Sequence, residues 1–181
     1  TGLPGPCGCG CALTPAASKG FSAVDFARDV LGITPLPWQR WLLIHALEVL
    51  PSGNFRFRTV VILVSRQNGK TTIIEVKNLW KMFVLQVSLV VSTAQDLDVA
   101  EESWDNAVAI VEAIPELAAE LKHVDKGNGK KALKLTNGSR WKPKASTRRG
   151  GRGLSGDDVN LDELREHQNW LSWAAVTKTT M

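Results

Sequence analysis

Phe57-Arg58-Thr59-Val60-Val61-Ile62-Leu63-Val64, running without a break into Ser65-Arg66-Gln67-Asn68-Gly69-Lys70-Thr71, is the stretch on which the fold turns. Its first eight residues are β-branched and almost continuously apolar, which predicts a strand buried on both faces. Beyond Thr71, the spacing of Ile73, Ile74, Val76, Leu79, Trp80 and Phe83 predicts a helix to about Leu85, and Ser88 to Ser92 then reads as a second buried strand. A polar loop between a strand and a helix is where backbone amides can close on an anion. Gly69-Lys70-Thr71 adds a lysine to reach the β- and γ-phosphates, a hydroxyl for Mg²⁺, and the partial positive charge of a helix N-terminus. Ser65, Arg66, Gln67 and Asn68 supply the rest of the loop. The G-x4-G-K-[ST] pattern is met except at its first position, where Val64 replaces glycine. The plainer alternative is a polar turn with an incidental Gly-Lys-Thr.

Upstream, Ser22, Val24, Phe26, Ala27, Val30 and Leu31 predict a short amphipathic helix stopped by Gly32. A second helix is expected from Pro37, burying Trp38, Trp41, Leu42, His45 and Val49 before Pro51. Gln39 on it has a donor and an acceptor, the pair an adenine edge would require, although an amphipathic helix with aromatic core residues has the same composition.

Downstream, a helix is expected from about Leu97 to Ile114, and Pro115 separates it from a shorter one ending near Leu121. Asn137-Gly138 between short alternating runs predicts a β-hairpin. A last strand, about Val159 to Leu161, leads into Asp162-Glu163, and a helix around Trp170 and Trp173 follows. An acidic pair at a strand end, about 90 residues after a phosphate loop, would hold Mg²⁺ through water at Asp162 and polarise an attacking water at Glu163, or the pair is only a solvated acidic turn. Between them lies Ser146 to Ser155, where glycines flank Arg152. That arginine would stabilise charge on a transferring phosphoryl group, with Arg148, Arg149 and Arg66 behind it, or these arginines belong to a basic surface.

Charge narrows the partner. The chain has 22 Lys+Arg against 18 Asp+Glu, yet eleven of those cations and a single acid, Asp125, lie between Lys122 and Arg152. Such asymmetry points to a polyanion, with Lys130, Lys131, Lys134, Lys142 and Lys144 as contacts. With 44% hydrophobic and 22% charged residues, disorder of the chain as a whole is excluded. The longest apolar runs, Val60–Val64 and Ala107–Val111, fall far short of the ~20 residues of a membrane helix. No basic segment leads into an apolar one at the N-terminus. Cys7, Cys9 and Cys11 have one-residue gaps unlike zinc-ligand spacing, and a reducing compartment is the default. Residues 1–20 are expected to be a flexible tail and 21–181 one domain.

PLPWQRW, VILVSRQNGKT, VVSTAQDLDVAEESWDNA and RGLSGDDVNLDELREHQNW, in this order from Phe21 onward, resemble the N-terminal ATPase half of the large terminase subunit of tailed bacteriophages. The resemblance implies an α/β P-loop NTPase of the ASCE type, with a mostly parallel central sheet flanked by helices, present here in part. It implies ATP and Mg²⁺, Gln39 near the adenine, Lys70 and Thr71 on phosphates and metal, Arg66 as a loop arginine, Asp162 and Glu163 as the acidic pair, and Arg152 as a finger acting in trans. Double-stranded DNA, a portal protein and a small terminase subunit would be partners of a homo-oligomeric ring, in the host cytoplasm. The coupling motif and nuclease domain of that family would follow Met181, so nuclease chemistry is not assigned to these residues. The alternatives are a helicase-type P-loop ATPase and a nucleic-acid-binding relic without turnover.

Overall fold

Two compact units, divided after Trp80 inside a single helix, make up the chain. The structure, a computed structural model, describes residues 11–65, 67–94, 97–127, 129–145 and 156–162. The expectations for Cys7, Cys9, Arg66, Arg148, Arg149, Arg152, Glu163 and the Trp170–Trp173 helix lie outside the described residues. Among the described residues, no helix is long and apolar enough to cross a membrane.

In the first unit, helix α1 (Gly20–Asp25) passes into a π-helical turn, Phe26–Val30, and α2 (Pro37–Ala46) follows. The wider turn is closed by the Leu31 N–H on the Phe26 carbonyl at 3.1 Å, and Gly32 at φ +67° ends it. Gly20 lies so close to the Leu43–Ile44 backbone that a Cβ would not fit. Packing begins ahead of Phe21, since Ser18 is buried and donates its hydroxyl to the Ile44 carbonyl. Helix α3 (Lys70–Phe83) starts directly after the Gly69 turn. Its buried Trp80 donates Nε1–H to the Ser22 hydroxyl at 3.1 Å.

Two sequence expectations fail in this unit. α2 buries Gln39, Leu43 and Ile44, whereas Trp41 of the expected core stripe is 45% exposed and lies against the His45 ring. The helix is apolar nearly all round, so several stripes fit its periodicity, and a hydrogen bond of Gln39 marks the one that turns inward. The run Phe57–Val64 forms no strand, and Leu63 is 86% exposed. A doubly buried strand is a property of its neighbours as much as of its composition, and no described strand pairs with this run.

Among the described residues, the second unit contains a five-stranded sheet in the order β2-β3-β4-β1-β5. Its strands are β1 (Leu89–Ala94), β2 (Leu121–Asp125), β3 (Ala132–Leu135), β4 (Arg140–Ala145) and β5 (Asp158–Leu161). β1 pairs in parallel with β4 on one side and β5 on the other, but β2–β3 and β3–β4 are antiparallel. The sheet is therefore mixed, not mostly parallel. The reason is the Asn137-Gly138 hairpin, present as expected with Gly138 at φ +93°, extended by the unforeseen strand β2. That strand begins where a helix was expected to end; the short helix after Pro115, α5, stops at Ala118.

Helix α4 (Leu97–Ala113) buries Ala100, Trp104, Ala107, Val108 and Val111, one stripe of a 3.6-residue period. Fully buried Trp141 donates Nε1–H to the Ser92 hydroxyl at 2.9 Å, tying β4 to β1 inside the core. β5 forms despite Asn160. Asp157 anchors its start by accepting the Ser88 and Leu89 N–H groups at 2.7 and 3.0 Å, and Lys81 pairs with buried Asp158.

Candidate nucleotide-binding site

The loop before α3 is built around two left-handed residues, Gln67 at φ +61° and Gly69 at φ +75°. Glycine adopts this region freely, but a glutamine there costs roughly 1 kcal/mol, and such strain gathers at functional loops. Asn68 closes the loop on itself by donating Nδ2–H to the Ser65 hydroxyl, with a long 3.4 Å contact to the Ser65 carbonyl. Ser65, Gln67 and Asn68 are exposed, Lys70 is half-buried, and the Thr71 side chain faces solvent in the first turn of α3.

Helix α3 is 14 residues long. Its first-turn amides have no intrahelical acceptor and stand at the positive end of the helix dipole. The donors here are therefore amides, an ammonium and a hydroxyl, a set suited to a phosphate group with its cation.

Gln39 is the residue whose placement the sequence did not reveal. It is 4% exposed. Its Oε1 accepts the Leu36 N–H at 2.8 Å, capping α2, and its Nε2 donates to the Gly69 carbonyl at 2.7 Å. A Cβ on Gly69 would lie 2.6 Å from that same Nε2 and push the Gln39 amide aside, and the φ of +75° itself favours glycine.

Asp162 follows β5 directly. Its N–H donates to the Thr93 carbonyl at 2.8 Å, which places it at the carboxyl ends of the parallel pair β1 and β5. Ligand sites of parallel α/β sheets lie at such ends. Asn160 keeps the strand in register: its Nδ2 approaches the Val91 carbonyl at 3.5 Å, and its own carbonyl accepts from the Thr93 hydroxyl at 3.4 Å.

The expected polyanion contacts divide. Lys134 stands directly opposite Arg140 across β3–β4, and Arg140, Lys142 and Lys144 alternate with buried Trp141 and Pro143. Four cations thus share one sheet face. Burial, and then the charges of Arg140, Lys144 and Lys134, push the Lys142 ammonium below the usual lysine range. Like charges placed opposite each other destabilise a strand pair, so this face carries a cost that an anion would relieve. Arg140, not among the expected contacts, stands on the same face, and the period-two pattern of RWKPK contains it. Lys130 is exposed in the turn before β3. Lys131 is committed elsewhere: it bonds Asp105 at 2.8 Å and Glu101 at 3.0 Å and lies 5.6 Å from the centre of the Trp104 ring. The Asp105 hydrogen bond, with help from Glu101, raises its pKa. Cys11 approaches His45 Nε2 at 3.7 Å, and no group of three or more metal-ligating side chains occurs among the described residues.

No family model matches the chain, and no curated protein sequence does. Among solved structures, the crystal structure of the HK97 bacteriophage large terminase is similar, with a TM-score of 0.72 and 22% identity, over 88% of this chain. The chain covers 35% of that protein's length. The likeness expected from the four motifs is thus present in three dimensions: the chain has a fold similar to that of a phage large terminase.

Proposed function

We propose that this chain is the ATP-hydrolysing part of a terminase-like motor that drives viral DNA into a procapsid. The observation that carries the reading is the loop Ser65–Gly69, turned by a left-handed glycine to deliver Lys70 and Thr71 on the first turn of α3. The terminase-like fold around it supports the same reading. Lys70 would place its charge on the β- and γ-phosphates, and the first-turn amides would hold their oxygens. Thr71 would offer Mg²⁺ a hard hydroxyl oxygen, Asp162 would act on the cation through water, and the cation would offset charge on the phosphate oxygens. Glu163 would take a proton from the attacking water, and Arg152 and Arg66 would steady the transferring group. Double-stranded DNA is the polyanion proposed for the cation face of β3 and β4. A portal protein, a small terminase subunit and a ring of copies in the host cytoplasm complete the proposal.

The test is ATP turnover with and without DNA, alongside calorimetry of Mg·ATP binding. Lys70→Ala removes a charge-assisted contact of roughly 1.5–3 kcal/mol, about tenfold to a hundredfold in affinity. Binding by Lys70→Ala as tight as by the parent overturns the phosphate-loop assignment. DNA binding by a parent chain that hydrolyses nothing would favour the relic reading.

A further inference from the structure

We infer that Cys11, His45 and Glu48 form a thiol-activating site, in which Cys11 is a nucleophile toward small disulfides and is modified by thiol–disulfide exchange. The site uses none of the proposed nucleotide contacts and stands apart from that reading. The N-terminal segment is tied to the far end of α2 at several points. The Ser18 hydroxyl donates to the Ile44 carbonyl, the Lys19 N–H to the Leu47 carbonyl at 3.0 Å, and the Val49 N–H to the Ala17 carbonyl at 2.9 Å. These bonds bring the half-buried Cys11 thiol to 3.7 Å from His45 Nε2, across 34 positions of sequence.

His45 is oriented from two other directions. Its Nδ1 lies 3.2 Å from Glu48 Oε1, and the Trp41 ring lies beside it with the ring centres 4.7 Å apart. Arg56 Nε donates to Glu48 Oε2 at 3.0 Å, so the two carboxylate oxygens face different partners. With its Nδ1–H given to a carboxylate, the imidazole presents the Nε2 lone pair to the thiol. Glu48 then steadies the imidazolium that forms when this lone pair takes the thiol proton. The thiolate, not the thiol, attacks sulfur. A nucleophile, its base and a group that orients the base are thus assembled, at the looser spacing seen before a substrate binds. The other charged side chains on the paired segments are Arg56 and Lys19, whose ammonium is 5.8 Å from the centre of the Phe55 ring, and Arg40 of α2 is exposed.

In the exchange, the Cys11 thiolate attacks one sulfur of R–S–S–R. The new sulfur–sulfur bond forms as the bond inside the disulfide breaks, and the departing thiolate takes from His45 the proton that Cys11 gave up. Cys11 is oxidised to a mixed disulfide, the released half is reduced to R–SH, and the small disulfide is the oxidant. Return of that proton suits the site to a substrate whose leaving group is a thiolate.

The experiment uses the full chain with Cys7→Ser and Cys9→Ser, which leaves Cys11 as its one thiol. The rate at which glutathione disulfide adds to it is followed by intact mass, with the chain folded and unfolded in urea. At pH 6.5 the folded chain should react about fivefold or more faster, the gain in thiolate outweighing its lower intrinsic nucleophilicity. An unassisted thiol slows about tenfold per pH unit below ~8.5. Between pH 7.5 and 6.5 the folded chain should instead slow less than about threefold, because His45 holds the proton. His45→Gln should return the rate and its pH profile to those of the unfolded chain, and Glu48→Gln should steepen the profile toward it.

A folded chain that reacts no faster than the unfolded one makes Cys11 an ordinary half-buried thiol and overturns the inference. So does a folded His45→Gln that keeps the rate and profile of the chain with His45. If neither variant folds, the profile of the folded chain with His45 decides: slowing of about tenfold per unit overturns the inference, and a shallow profile upholds it.

Discussion

Lys131 and Lys142 carry the same charge in opposite settings, and pH distinguishes them. Lys131 gains Asp105 and Glu101 on folding, which raises its pKa above the reference 10.5. Its contribution is fully present below that value and is lost as pH rises through the higher folded pKa. Lys142 is desolvated among Arg140, Lys144 and Lys134, which lowers its pKa. The unfolded chain then binds more protons than the folded one between the lowered value and 10.5, so this group makes stability rise with pH in that window. At pH 7, Lys131→Met should cost of order 1 kcal/mol in urea unfolding, and the deficit should close above about pH 10.5. Lys142→Gln should be neutral or stabilising by about 0.5 kcal/mol. A destabilising Lys142→Gln beside a silent Lys131→Met would reverse these assignments.

At the scale of elements, the run Phe57–Val64 separates composition from context. On exposed Leu63 the structure implies that Leu63→Lys changes urea stability by less than about 0.5 kcal/mol, while reducing self-association. A loss of 2 kcal/mol or more would mean that the run is buried as a strand. Elements that organise themselves were legible: α3 and α4 by their apolar stripes, and the hairpin by Asn137-Gly138, whose glycine takes the positive φ that the turn requires. What depends on a distant partner was not legible. β2 became a strand by pairing with β3, and α2 chose its inward face through a bond to Gly69, thirty residues away. The loop's sequence pattern was visible, but the bond from Gln39 to its Gly69 carbonyl was not, because a glutamine in an apolar helix has the same letters whichever group it meets. β5 shows the converse. Asn160 looks like an interruption, yet its amide reaches across to β1 and Asp162 still emerges at the strand end.

Across the whole molecule, the basic residues between Lys122 and Arg152 are sorted by folding into different tasks. Lys131 supports α4, whereas Lys134, Arg140, Lys142 and Lys144 gather on one sheet face and are held near each other at an electrostatic cost. A motor that travels along DNA of any sequence needs phosphate contacts and no base readout, and phosphate contacts release counterions. Binding to duplex DNA should therefore fall steeply with salt and be equal for unrelated sequences. Each cation that meets a phosphate adds about 0.9 to the slope of log K against log salt. Neutralising all four with Gln should flatten that slope by up to about 3.6 on the same relation, whereas Lys131→Met should leave it within error once folding is verified. Lys130, exposed in the turn before β3, provides the intermediate case, and Lys130→Gln should remove about one contact. If the four-residue variant keeps the parent's slope while remaining folded, the polyanion is held by another surface and this face is only a costly feature of the sheet. Strong sequence preference would count against the proposed translocating role, because selectivity at one site opposes movement along DNA.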